Sequence, residues 1–231
     1  MSRILMIVTA ADALTLADGS THPTGFWAEE LVVAHRELVR AGHDVVVATP
    51  GGAPAPVDPG SLDAAVVGDA EKAAELAAYL DAISAVLAAP ASLSSVGPVA
   101  FDAIVLPGGH GPMADLATDA ALGRILAAAD AAGTLIAPFC HGPAALLSAT
   151  GPDGFVFAGR RLTVFTDEEE RTGGLGDGTP WFVATELAAR GAVVEGGDPW
   201  TSHVVRDGNL ITGQNPQSSE AVAAALLDAL G

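Results

Sequence analysis

A single cysteine, Cys140, stands among 231 residues, so no internal disulfide and no multi-cysteine metal cluster can form. A lone thiol fits a reducing compartment, and the expected location is the cytoplasm. Basic residues are scarce too, 10 against 28 acidic ones, which leaves a net charge of −18. That field repels a nucleic-acid duplex and an anionic membrane surface, so neither is an expected partner. No apolar run approaches the roughly 20 residues that cross a bilayer. The opening MSRILMIVTAADAL turns polar too soon for a secretory leader and reads as a first strand. Cofactor signatures are missing as well. There is no GxxxxGK[ST] phosphate loop and no HExxH pair. The run GGHGPM lacks the third glycine of a dinucleotide fingerprint and carries a proline where a helix should begin. No cofactor and no structural metal are expected.

What is present is a regular alternation. RILMIV (3–8), DVVVA (44–48), AIVLP (103–107) and TLIAPF (134–139) are continuously apolar, as strands covered on both faces require. Between them, Trp27, Leu31, Ala34 and Leu38 share one helical face, stopped by Gly42. Leu122, Ile125, Leu126 and Ala129 share another, between an Asp119 cap and Gly133. The class is therefore α/β with a doubly wound, mostly parallel sheet. A Pro/Gly loop at 50–62 leads into a helical insertion over about 63–97, whose stripe is Leu76, Leu80, Ile83 and Leu87. The whole of 1–231 reads as one domain. Residues 155–166 and 203–213 read as hairpins, the second turning at Asp207-Gly208. Asn215 and Pro216 open a closing helix.

The stretch TLIAPFCHGPAAL (134–146) puts the lone thiol where a strand ends and a helix begins. A nucleophile elbow has this form, and free N–H groups at the helix start favour a thiolate or an oxyanion. The plain alternative is a buried thiol that fills core space. PGGHGPMADL (107–116) follows another strand; it reads either as a tight turn or as a source of N–H groups, from Gly109, facing Cys140. At 100° per residue Glu30 falls among Phe26, Trp27, Val33 and Ala34, whereas Glu29 points away with Arg36 and Arg40. A carboxylate on a buried face has a raised pKa and can shuttle a proton; the commoner fate is to reach solvent at the edge of the stripe. His22 and His110 lie in loops at the expected active edge, while His35 and His43 read as surface residues.

FCHGPAAL, PGGHG, TGFWAEEL, FTDEEE and GQNPQSS, in that combination, resemble the PfpI superfamily, which includes the Parkinsonism-associated deglycase. They are most similar to its branch of heat-inducible chaperones and glutathione-independent glyoxalases (glyoxalase III). The resemblance spans nearly the whole chain and implies a flavodoxin-like sandwich. It implies Cys140 as nucleophile, His141 as its neighbouring histidine, Glu170 as the carboxylate orienting that histidine, and Glu30 as the buried acid touching the thiol, with His141 or Glu30 as the base. Gly109 and His141 would supply the oxyanion N–H groups. The other three acids of DEEE (167–170) read as a solvated loop. The implied reaction is conversion of methylglyoxal to lactate, and family habit implies a homodimer.

Departures from the family pattern bear on the substrate. His22 in LADGSTHPTG and Trp181 in DGTPWFVATEL are expected near the entrance, with His110, as pocket residues that reshape a small-aldehyde site. The rival readings are a holdase chaperone or a redox sensor working by Cys140 oxidation. A cysteine hydrolase is a weaker rival. A glutamine amidotransferase is disfavoured, because its elbow wants glycine where this chain has Pro138.

Overall fold

The computed structural model describes residues 1–97, 101–152 and 154–231. Seven strands form the central sheet: β1 (Arg3–Ile7), β2 (Asp44–Thr49), β3 (Ala91–Ser92), β4 (Ala103–Leu106), β5 (Leu135–Pro138), β6 (Val204–Asp207) and β7 (Leu210–Gly213). Their spatial order is β6-β7-β5-β4-β1-β2-β3. Every neighbouring pair is parallel except β6 and β7, which make an antiparallel hairpin at one edge. This is the doubly wound architecture that the alternating runs anticipate, and the flavodoxin-like sandwich that the family resemblance implies.

The strands are continuously apolar because both faces are covered. Leu5, Ile7, Ile104, Leu106, Ile136 and Leu210 pack on one side, with α3 (Ala120–Ala132) and α5 (Val183–Ala189). Ile4, Met6, Val105, Ala137, Phe139 and Ile211 pack on the other, with α1 (Ala28–Arg40), α2 (Ala70–Ala82) and α6 (Ser219–Leu230). The Asp119 side chain accepts from Leu122 N and Gly133 closes α3 at φ 72°, as the pattern requires. No helix among the described residues is long and apolar enough to cross a membrane.

Several expectations are corrected. Residues 155–166 do not pair with each other. Gly154–Phe155 pairs with Thr150–Gly151, whereas Arg161–Leu162 runs parallel to Val193–Val194, so the arms on either side of Gly159 find different partners. The last residues of the insertion are not helical, since Ala91–Ser92 extends the sheet beside β2. The β6–β7 loop is Gly208-Asn209, with Asp207 paired to Leu210. The segment after Cys140 is a run of 3₁₀ turns, Gly142–Ser148, in place of an α-helix. The closing helix α6 starts only after a 3₁₀ turn over Pro216–Ser218. His35 is buried and bonds Tyr79 Oη through Nδ1 at 2.8 Å, because α2 of the insertion covers that flank of α1.

Candidate active site

Strand β5 delivers Cys140 into a left-handed backbone conformation, φ 56°, which costs an ordinary L-residue roughly 1–2 kcal/mol. Its surroundings enforce it. Cys140 N donates to Gly213 O at 2.9 Å, Cys140 O accepts from Phe165 N at 3.0 Å, and Gly142 N returns to Phe139 O at 2.8 Å. Gly142 is required because a Cβ there would run into the Leu106 carbonyl. The bend at Cys140 is thus held by backbone hydrogen bonds to β7 at Gly213, to the Phe165 bend and within its own turn at Phe139.

The glycine loop after β4 presses on this elbow. A Cβ on Gly108 would strike the backbone of Phe139 and His141, and Gly109 adopts φ 86° against Gly25 and Trp27. Gly108 N donates to Glu30 Oε2 at 2.6 Å. Burial raises the Cys140 thiol pKa, and the backbone N–H groups of Gly109 and His141 work against that rise without overcoming it. They form the pair that an oxyanion on an attacked carbonyl would need.

Glu30 is fully buried, as its helical position suggests. Burial pushes its pKa up to about 8, against the opposing pull of the Cys140 thiol and the Gly108 N–H. Its second oxygen, Oε1, has no conventional hydrogen-bond partner among the described residues. The Cys140 thiol is itself pushed up by burial and then by the Glu30 charge and hydrogen bond. At neutral pH, Glu30 and Cys140 therefore both hold protons.

The sulfur also meets an imidazole. His141 Nδ1 lies 3.3 Å from Cys140 Sγ, and His141 Nε2 lies 2.6 Å from Glu170 Oε2. Burial and the neighbouring His110 lower the His141 pKa despite Glu170, so the ring is neutral and free to accept a proton. Burial alone would raise Glu170; hydrogen bonds from His110 and His141, and the positive charge those rings can carry, outweigh it and hold the carboxyl well below the ordinary range. His110 Nε2 reaches Glu170 at 3.2 and 3.3 Å, with its ring 4.2 Å from that of His141. Glu170 Oε1 also accepts from Leu175 N at 2.6 Å. His110, His141 and Glu170 offer three ligating atoms within 4.8 Å of one another, close enough to hold a cation. In this arrangement those atoms bond each other.

All of this opens into a cleft of about 440 Å³ lined by Cys140, His110, Trp27, Phe165 and Trp200, with Val66, Val67 and Lys72 from the insertion. His22 and Trp181, expected at the entrance, are not on its lining. His22 sits on the Ala13–Thr15/Thr21–Pro23 hairpin, edge-on to His110 at 6.4 Å. Trp181 packs against the apolar cluster under α5. Glu29 is not simply solvated beside Arg36 and Arg40: it lines the cleft and pairs with Lys72 Nζ at 2.7 Å, while both arginines pair with Glu37. Sequence reasoning also missed Trp200 and Glu169, the latter buried in full rather than part of a solvated loop. Thr166 followed three residues later by Glu169 is a capping-box signature, which signals that this glutamate has a partner.

The model of the DJ-1/PfpI family matches residues 22–229. This chain belongs to the DJ-1/PfpI family. Among curated members, the protein/nucleic acid deglycase HchA of Pseudomonas aeruginosa is 29% identical, over 94% of this chain and 77% of its own length. Among solved structures, the rapid encystment protein of Francisella tularensis (REP24) covers both chains completely at 28% identity and a TM-score of 0.89. Glyoxalase III of Candida albicans aligns over 98% of this chain and 96% of its own, at 24% identity and a TM-score of 0.81, a likeness of fold.

Proposed function

We propose that this DJ-1/PfpI protein is a cofactor-independent cysteine enzyme that converts methylglyoxal to lactate in the manner of glyoxalase III. The observation that carries the reading is the continuous relay from Cys140 Sγ through His141 to Glu170, at 3.3 and 2.6 Å. Neutral His141 takes the thiol proton as Cys140 adds to the aldehyde carbon, and the N–H groups of Gly109 and His141 hold the new oxyanion until it is protonated. His141, neutral again once it has given the thiol proton to the oxyanion, then takes the carbon-bound hydrogen of the hemithioacetal as a proton, while Glu30 stays protonated beside the sulfur. Return of that proton to the former ketone carbon turns the ketone into an alcohol and the first carbon into a thioester. Water cleaves the thioester, releasing lactate and the thiol. One carbon is oxidised and its neighbour reduced, so the sum is methylglyoxal plus water and no outside oxidant enters.

The name of the HchA relatives, protein/nucleic acid deglycase, supports a chemistry directed at reactive aldehydes and the adducts they leave. The test is lactate formation from methylglyoxal, read for D- against L-product, with wild type and Cys140→Ala. Turnover by Cys140→Ala at the wild-type rate would sink the proposal.

A further inference from the structure

Among the described residues, only two non-glycine positions have a left-handed backbone: Cys140 at φ 56° and Trp200 at φ 61°. Both line the same cleft. Strain of this kind persists where the surroundings over-determine it, and it gathers at ligand-contacting sites. For Cys140 the reason is the elbow. For Trp200 nothing in the relay described above supplies one.

The groups that hold Trp200 are specific. Its N–H donates to Glu169 Oε1 at 2.8 Å, and the same oxygen accepts from Asn215 Nδ2 at 2.8 Å. Oε2 of Glu169 accepts from Thr166 N and Oγ1 at 3.0 and 2.9 Å. A fully buried carboxylate is thereby satisfied four times, and one of the four bonds fixes the backbone of a tryptophan that is itself 40% exposed. An exposed indole gains little from burial, so a rigid anchor for it needs another purpose. Gly173 leaves the space its ring occupies, since a Cβ there would strike the indole.

The ring continues a wall that starts at the base. The His141 ring lies 4.5 Å from Phe165, and Phe165 meets Trp200 edge-on at 5.5 Å. A group attached to the carbon attacked by Cys140 and lying beside His141 would extend along Phe165 towards Trp200. Methylglyoxal has only five non-hydrogen atoms, on the order of 100–150 Å³ at liquid-like packing, well short of the roughly 440 Å³ available.

We propose that Trp200, held by Glu169, is the specificity wall of this site, selecting 2-oxo-aldehydes whose oxo carbon bears a planar apolar group over those bearing a methyl group. The proposal rests on the aldehyde chemistry argued above. Trp200 is the contacting residue, and Glu169 is a positioning residue that acts through it.

The test compares kcat/KM for phenylglyoxal and methylglyoxal in wild type, Trp200→Ala, Trp200→Gly and Trp200→Phe. Trp200→Gly relieves the left-handed strain that a Cβ carries at that position, so loss of the ring is read without that strain. The phenyl-to-methyl ratio is expected to fall at least tenfold in the Ala and Gly variants and to stay within threefold in the Phe variant. Glu169→Gln sets an amide N–H against one of four donors, and the same ratio should fall about threefold; a purely structural role would lower both substrates alike. A second arm needs no turnover: the rates at which N-phenylmaleimide and N-methylmaleimide alkylate Cys140, followed by mass. If wild type turns over neither aldehyde, the proposed reaction fails and the maleimide ratio alone decides the wall. Ratios within threefold of wild type in both Trp200→Ala and Trp200→Gly overturn the proposal.

Discussion

His141 Nε2 lies 2.6 Å from Glu170 Oε2, while the Nδ1 of the same ring faces the Cys140 sulfur at 3.3 Å. An ionised Glu170 only accepts hydrogen bonds, so the ring's proton is drawn to Nε2 and the Nδ1 lone pair is left for the thiol. The neutral His141 tautomer suited to deprotonating Cys140 is therefore chosen by a residue 29 positions further along the chain, on the first turn of α4 (Asp167–Gly173).

Glu170→Gln should consequently lower kcat by about 10²–10⁴-fold, the range seen when a catalytic base loses its orienting acid. The amide offers His141 either an uncharged acceptor or a donor that reverses the tautomer. Steady-state kinetics on methylglyoxal checks this, with circular dichroism to show that the variant is folded. Wild-type kcat would remove Glu170 from the relay.

The pH dependence should be bell-shaped. On the acid side, activity needs neutral His141, whose pKa lies below its usual 6.5, so the rate should hold through pH 6.5 and fall only beneath it. On the alkaline side Glu30 loses its proton near pH 8 and places a charge against the sulfur that must become an anion. Glu30→Gln has no such group to ionise, and its alkaline limb should move upward. A kcat/KM profile for the two proteins, taken from about pH 5 to about pH 10, reads both limbs.

Much of this site was legible before any coordinates. Cys140 stands where an apolar run stops, and Glu30 stands among apolar neighbours at helical spacing; each is a local pattern, and both side chains are buried in the fold. Gly108 and Gly109 were legible as a glycine loop after a strand, but which backbone they meet, Phe139 and His141 for one and Gly25 and Trp27 for the other, is set by tertiary packing. Trp200 was not legible, because a left-handed tryptophan has no sequence signature and its anchor, Glu169, is 31 residues away. His22 and Trp181 failed for a related reason. Both were assigned to the entrance from loop position alone, and where a loop residue points depends on which element packs behind it: His110 for one, the α5 cluster for the other. The arms around Gly159 look like a hairpin in sequence and are claimed by separate partners in space.

Buried Glu30 should also tie stability to pH. Its folded pKa is raised from 4.5 to about 8, so between those values the native state keeps a proton that the unfolded chain has released. Stability then falls as pH rises across that window, by about 1.4 kcal/mol per pH unit. Glu30→Gln lacks this linkage. Relative to wild type it should gain roughly 4 kcal/mol between about pH 5 and about pH 8, measured by urea unfolding at both values. A constant difference between the two proteins would show that Glu30 is ionised in the native state.

Cys140 offers a test of the strained elbow that is independent of catalysis. Alanine at an ordinary exposed or helical position is more stable than glycine by about 0.5–1 kcal/mol, because glycine loses more backbone freedom on folding. At φ 56° the order should be opposed by the roughly 1–2 kcal/mol that a Cβ costs in the left-handed region. Cys140→Gly should therefore be at least as stable as Cys140→Ala, by up to about 1 kcal/mol, although it removes the larger buried side chain. Both variants lose the thiol, so both should be inactive, and urea midpoints at one pH compare them directly. An alanine variant more stable than the glycine variant by the usual margin would mean that the elbow relaxes once the sulfur is gone. The strain would then belong to the side chain's contact with His141, and not to the backbone bonds that Cys140 makes with Gly213 and Phe165.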